Sequence, residues 1–156
     1  VETVYIETTI VSYLVANPSR DSILTAHQQL TRAWWQNQRL AYHCIVSDEV
    51  LREAARGDAD QARLRLEALQ HLPRLPITAE VEKLAAAVLQ SGSLPPAARS
   101  DAIHVSAATL INVDFLLTWN CRHLANPHLQ KRLRTMMAGH GLILPEICTP
   151  IELGGQ

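Results

Sequence analysis

Val4-Tyr5-Ile6-Glu7-Thr8-Thr9 is the stretch on which the reading of the fold turns. Val4, Tyr5 and Ile6 are β-branched or aromatic and do not alternate with polar residues, the pattern of a short strand covered on both faces in a parallel sheet. Glu7 follows where such a strand ends. Ligands of open α/β sheets bind beyond the carboxyl ends of the strands, so a charged side chain there carries a functional reading that one on a helix surface lacks. The competing reading is a solvated strand end or a cap for the next helix.

Working outward, Thr8 to Val15 reads as a brief helix stopped by Asn17-Pro18, and Asp21 or Ser22 caps a second helix reaching about Gln38. Leu40 to Val46 is the next buried-strand candidate. It stops at Ser47, a good N-cap, with Asp48 and Glu49 in the first helical turn, where the helix dipole favours negative charge. That helix runs through Glu53 towards Gly57, and Asp58 or Asp60 restarts another. Leu72 to Ile77, broken by Pro73 and Pro76, allows only a short edge strand before Thr78 caps a further helix. Ser100 to Val113 leaves little polar surface and reads as a central, buried helix with Asp101 at its start. Phe115 to Thr118 is another buried strand, followed by Trp119 and Asn120. Asn126-Pro127 opens a helix closed by Gly139 and Gly141, and Leu142 to Ile147 can add a last strand. Strands alternating with helices are the grammar of an α/β fold.

The composition bounds the function. With 156 residues, 47% of them hydrophobic and 19% charged, the chain can bury about two-thirds of its unfolded surface around one core. A formal charge of −1 provides no global positive field for a nucleic acid, so a polyanion partner has to be held by a local patch or by metal. Cys44, Cys121 and Cys148 are an odd number without zinc-ligand spacing, which fits packing roles in a reducing compartment. There is no run of roughly 20 apolar residues and no signal-like start, so the expectation is a cytoplasmic protein with no membrane partner.

Glu7, Asn120 and Asp101 all fall at polar ends of elements on what should be one edge of one sheet, and the helix after the second strand can add a fourth group. Carboxylates plus an amide form the all-oxygen ligand set of a hard cation, Mg²⁺ or Mn²⁺, rather than of zinc. Gathered acids repel and raise one another's pKa unless a cation makes their proximity favourable.

Four segments, Tyr5-Ile6-Glu7-Thr8-Thr9-Ile10-Val11-Ser12-Tyr13-Leu14, Ser47-x-x-Val50-x-x-Glu53, Asp101-Ala102-Ile103-His104-Val105 and Leu117-Thr118-Trp119-Asn120, together resemble the PIN-domain ribonucleases. The likeness covers nearly the whole chain and is nearest to the VapC-like toxins of bacterial toxin–antitoxin pairs. It implies one PIN-like domain over residues 1–156, a three-layer sandwich whose central, mostly parallel sheet of four to five strands is flanked by helices. It implies a metal-dependent endoribonuclease in which Glu7, Glu53 and Asp101 are acidic metal ligands, Asn120 takes the fourth position, and Mg²⁺ or Mn²⁺ is the cofactor. Water attack in line would leave a 5′-phosphate and a 3′-hydroxyl. Thr9 would steady the first carboxylate. Glu7 departs from the family, where most members carry Asp, and its extra methylene moves the carboxylate outward by about a bond length against magnesium's demanding octahedron. The helical wheel alone does not choose Glu53 over Asp48 or Glu49; only the resemblance does. The resemblance also implies an RNA substrate, a small antitoxin partner and a homodimer.

Other residues keep two readings. His104 stands three residues beyond Asp101 and is either a supporting residue of the site or a core histidine bonded to backbone. Arg52, Arg56, Arg63 and Arg65 form a basic stretch whose default is a solvated, salt-bridged face, with RNA phosphate contact by Arg52 and Arg56 as the alternative. Trp34, Trp35 and Trp119 read as packing, although Trp119 is close enough to Asn120 to stack on a base. A rival to the nuclease is a PIN-like module weakened in catalysis, which binds RNA or protein. A nucleotide or phosphotransfer protein lacks support, since no Gly-rich phosphate loop follows Ile6.

Overall fold

The structure is a computed structural model and describes residues 1–154. Five strands form one sheet in the order β3-β2-β1-β4-β5: β1 Thr3–Ile6, β2 His43–Ser47, β3 Arg74–Leu75, β4 Phe115–Leu117 and β5 Glu146–Cys148. Every adjacent pair is parallel. The connections carry helices α1 Thr8–Val15 and α2 Ser22–Asn37, then α3 Asp48–Ala54 and α4 Ala59–Leu69, then α5 Ala79–Gln90 and α6 Arg99–Leu110, and last α7 Pro127–Gly139. The chain steps from β1 outward to β3, then returns past β1 to β4 and β5. Because parallel crossovers are right-handed, that reversal sends the first four helices to one face and the last three to the other. The switch point lies between β1 and β4, beyond whose carboxyl ends a ligand site is expected in a doubly wound sheet.

Burial follows this plan. Val4, Tyr5, Ile6, Leu116 and Leu117 have no solvent exposure, as two central strands covered on both faces require. The register pairs Ile6 with Leu117, so Glu7 and Thr118 emerge side by side. Ala102 through Thr109 of α6 are buried without interruption, which makes α6 the central helix its composition predicts. Among the described residues no helix is long and apolar enough to cross a membrane, and all three cysteines are free thiols.

Caps that can be read locally are in place. Asp21 accepts from the N–H groups of Ile23 and Leu24, Thr78 from Val81, and Asn126 from His128 and Leu129. Several boundaries differ from the sequence reading. The second strand starts at His43 because Arg39–Ala41 make a 3₁₀ turn that leaves Leu40 80% exposed. The last strand is confined to Glu146–Cys148, with Ile143 outside it and exposed. The buried helix stops at Leu110, short of Val113, because Asn112 adopts φ 56°. The N–H groups of Asn112 and Val113 then reach back to the carbonyls of Thr109 and Ala108, a Schellman closure that satisfies the helix end. The α3 helix ends three residues before Gly57. There the Arg65 guanidinium donates to the carbonyls of Ala54 and Arg56, so Arg65 caps a helix rather than lying on a solvated face.

Candidate metal and acid site

Glu7 leaves β1 as the N-cap of α1, and its Oε1 accepts from the Thr9 backbone N–H at 3.1 Å. The same oxygen accepts from the Thr9 hydroxyl at 2.5 Å and the Thr118 hydroxyl at 2.6 Å. The two threonines are held in turn. Thr9 Oγ1 accepts from the Trp119 N–H at 2.8 Å, and Thr118 Oγ1 from the Asn120 N–H at 2.9 Å. One oxygen of Glu7 is thereby saturated by three donors, while Oε2 has no donor among the described residues and lies 4.0 Å from His104 Nε2. The sequence reading gave Thr9 this supporting role, and Thr118 shares it.

Glu53 reaches the same place from the last turn of α3. Its Oε1 accepts from Thr8 Oγ1 at 2.7 Å and from His104 Nε2 at 2.5 Å. Ligand atoms of Glu7, Glu53 and His104 all lie within 4.8 Å of one another. His104 has no solvent exposure and anchors its other nitrogen, Nδ1, to the Tyr5 hydroxyl at 2.7 Å, and that hydroxyl also meets Ser47 Oγ at 2.6 Å. The backbone-bonded core histidine is therefore replaced by a side-chain relay, Ser47–Tyr5–His104–Glu53, joining two strands and two helices.

The electrostatics of the relay are those of a buried ion pair. Burial pushes the His104 pKa down, but the hydrogen bond to Glu53 and the charges of Glu7, Glu53 and Asp101 outweigh it and leave it raised. Burial pushes the Glu53 carboxyl up; the bond and charge of His104, with the Thr8 hydroxyl, reverse this and leave it lowered. With His104 protonated, Nε2–H donates to Glu53 and Nδ1–H to the Tyr5 oxygen, whose own proton goes to Ser47. Glu7 remains under-compensated. Burial raises its pKa despite the lowering by His104, Thr118 and Thr9, so an added cation beside its free oxygen would relieve a standing electrostatic cost.

Asp101 stands in the first turn of α6, three residues before His104, and forms a second small cluster. Its Oδ1 accepts from Asn120 Nδ2 at 3.1 Å and its Oδ2 faces His123 Nδ1 at 3.1 Å. Asn120 Oδ1 accepts from the His123 backbone N–H at 3.0 Å. Asn120 thus turns its amide N–H, not its carbonyl, to the acid, which is how a residue that orients Asp101 is placed. This departs from the metal-ligand role the sequence reading gave it.

Three further placements matter. Trp119 is 6% exposed, its indole N–H donates to Thr31 at 2.7 Å, and its ring stacks with His27 at 4.1 Å between centroids. Burial therefore removes the base-stacking role and leaves the packing one. Glu49 is more than a first-turn acid, being 4% exposed and bonded to Arg52 and Ser100. His123 went unnoticed in the sequence, where its three-residue spacing from Asn120 is the offset of a side-chain-to-backbone turn. Tyr5 could have been found from its type, since a buried phenol needs a partner.

No family model and no curated protein matches the sequence. Solved structures do. A chain of VapBC2 from Rickettsia felis, determined bound to a DNA fragment from its promoter, is 16% identical with a TM-score of 0.53, over 94% of this chain and 98% of that one. VapC20 of Mycobacterium tuberculosis, described as a Sarcin-Ricin loop cleaving toxin, is 13% identical with a TM-score of 0.56, over 72% of this chain and 86% of that one. At these identities the likeness is one of architecture, and the chain has the PIN-like α/β fold of the VapC structures it resembles.

Proposed function

We propose that the chain is a metal-dependent endoribonuclease, the toxin of a toxin–antitoxin pair. The observation that carries the reading is the meeting of Glu7, Glu53 and His104, from residues 7, 53 and 104 of the chain, at the switch point of the sheet, with Asp101 one helical turn away. The fold it shares with VapC20, a Sarcin-Ricin loop cleaving toxin, supports the same reading.

Glu7, Glu53 and Asp101 are the residues that would hold Mg²⁺ or Mn²⁺; Glu7 and Glu53, whose ligand atoms lie within 4.8 Å of each other, fit such an ion, and Asp101 stands beside them in its own cluster. Glu7 Oε2 and Glu53 Oε2 have no hydrogen-bond donor among the described residues, and the buried Glu7 lacks a full countercharge. Bound there, a divalent cation supplies a water of lowered pKa and charge to balance the phosphodiester in its transition state. Thr9 and Thr118 hold the Glu7 carboxylate by Oε1 and leave Oε2 open. His104 fixes Glu53 through Nε2, and Asn120 with His123 fixes Asp101. The reaction is hydrolysis of RNA phosphodiester bonds. A small antitoxin protein and a second copy of the chain are the partners this role entails, and sedimentation at micromolar concentration reads the latter.

The test is cleavage of a mixed, end-labelled RNA pool by purified protein in Mg²⁺, Mn²⁺ or EDTA, beside Asp101→Asn. Cuts that need metal and disappear in the variant are expected; the same cuts in EDTA or by the variant refute the assignment. One observation favours the rival, a binding module. His104 already places a positive charge against Glu53 and 4.0 Å from Glu7, which can stand in for an ion. Calorimetric titration with Mn²⁺ separates the two, since the rival has no measurable affinity.

A further inference from the structure

Beside the acids lies a groove of about 630 Å³ lined by Arg52, Glu53, Arg56, Arg99, Ser100 and Asp101 together with Ala97 and Ala98. Three arginines thus border a space that ends on two of the candidate site's carboxylates. In a chain of net charge −1 this local concentration of cations is not explained by general basicity.

The arginines differ from the rest of the basic stretch. Arg63 is paired with Glu67 at 3.1 Å and Arg65 is spent on capping α3. Arg56 has no side-chain partner among the described residues, and Arg99 has only a distant one, Glu82 at 3.9 Å. Arg52 is pre-set. Its Nε and Nη2 donate to the two oxygens of Glu49 at 2.7 and 2.5 Å, and Nη2 also meets Ser100 Oγ at 3.1 Å, while Ser100 donates to Glu49 at 2.7 Å. Glu49 is the buried member of this set and Arg52 the half-open one, with side-chain exposures of 4% and 42%. A fork held on one edge by a buried carboxylate keeps its remaining N–H groups aimed outward with little rotamer freedom left to lose, which suits a planar or tetrahedral anion.

We infer that the groove between α3 and the start of α6 is the track of the RNA backbone, with Arg52, Arg56 and Arg99 contacting phosphates next to the scissile one and Glu49 acting as the anchor that orients Arg52. The inference rests on the ribonuclease reading and deepens it by naming the side from which substrate enters. An acidic polypeptide is the other polyanion that could lie in such a groove. RNA is favoured because the track terminates at Glu53 and Asp101, so its occupant is presented directly to the hydrolytic site.

The test is fluorescence anisotropy with a labelled single-stranded RNA of about a dozen nucleotides, in an Asp101→Asn background that holds the substrate uncut. Affinity is followed across salt concentration. Each single-strand phosphate contact adds about 0.7 to the slope of log affinity against log salt, which corresponds to roughly fivefold in affinity at about 0.1 M salt if the contact vanishes near 1 M. Arg52→Gln, Arg56→Gln and Arg99→Gln should each lose about this slope and affinity, whereas Arg134→Gln on α7, outside the groove, should lose neither. Glu49→Gln should weaken binding only while Arg52 is present, so the double variant should match Arg52→Gln alone. Unchanged slopes in Arg56→Gln and Arg99→Gln, which leave the buried Glu49 pair intact, overturn the track. Additive losses for Glu49 and Arg52 overturn the anchor. Failure of the parent to bind RNA at any salt would remove the ribonuclease reading itself, a result distinguishable from binding that ignores the groove.

Discussion

Replacing His104 with leucine should cost about 3 kcal/mol of stability without an enlarged core. Leucine fills a similar volume, so the loss is polar. The charge-assisted bond from Nε2 to Glu53, 2.5 Å long, contributes roughly 1.5–3 kcal/mol, and the neutral bond at Nδ1 about 1 kcal/mol. The Tyr5 hydroxyl keeps Ser47 and the Glu53 carboxylate keeps Thr8, which limits the damage. Breaking a fully buried pair costs about 3–5 kcal/mol; the Glu53 side chain is 25% exposed, so the low end applies. With a urea m-value near 2 kcal/mol/M for a chain of this size, the midpoint should fall by about 1.5 M. His104→Gln keeps a donor at the position of Nε2 and should recover more than half of the loss. The sign of the pH dependence follows from the direction of the shift. A His104 pKa raised in the folded state gives stabilisation that is complete below the unfolded value of about 6.5. It is lost as pH rises through the higher folded value, so the gap between wild type and His104→Leu should narrow at alkaline pH. A leucine variant whose midpoint falls by less than about 0.5 M, or a gap that widens at high pH, would refute the buried ion pair.

Glu7→Gln should abolish metal-dependent RNA cleavage yet raise the urea midpoint at pH 8, because the threonine donors still find an amide oxygen while an under-compensated buried charge is gone; a lowered midpoint contradicts the account of Glu7. Thr118→Val removes a donor to Glu7 and the acceptor for the Asn120 N–H and should cost about 1–3 kcal/mol in urea melts, with weaker Mn²⁺ binding by calorimetry. Asn120→Asp trades a donor to Asp101 for a second carboxylate. It should destabilise the metal-free protein and tighten Mn²⁺ binding, since the ion then separates two like charges; unchanged affinity would place residue 120 away from the ion.

What could be read from the sequence was mostly local. Glu7 could be placed at a strand end because Val4 to Ile6 are a buried run, and Asp21, Thr78 and Asn126 announced helix starts because a cap bonds within three residues of itself. Strands without alternation point to parallel pairing, and the resemblance to a mostly parallel sheet; every adjacent pair proves parallel. The site was legible as a set of positions but not as an arrangement. His104 had two readings because nothing within its own helix tells whether Tyr5, 99 residues earlier, will meet it. The resemblance makes Asn120 the fourth ligand, but composition does not say which end of its amide faces Asp101, and the N–H end does. Trp119 reads as packing with base stacking as the alternative, since adjacency to Asn120 along the chain does not place two side chains on one surface; the indole turns inward to Thr31 and packs. Glu49 looked like a dipole-matching acid because the partner that buries it, Ser100, comes from a helix 51 residues away.

The pairing of β1 with β4 spans more than a hundred residues, and this has a consequence during synthesis. Glu7 is made more than a hundred residues before Thr118, which steadies it, and before His123, which helps hold Asp101. Until then β1 can pair on one side alone and the acids have nothing to close around. Non-local strands also join slowly. On the proposed ribonuclease reading, the site therefore cannot assemble on a nascent chain that stops short of residue 123.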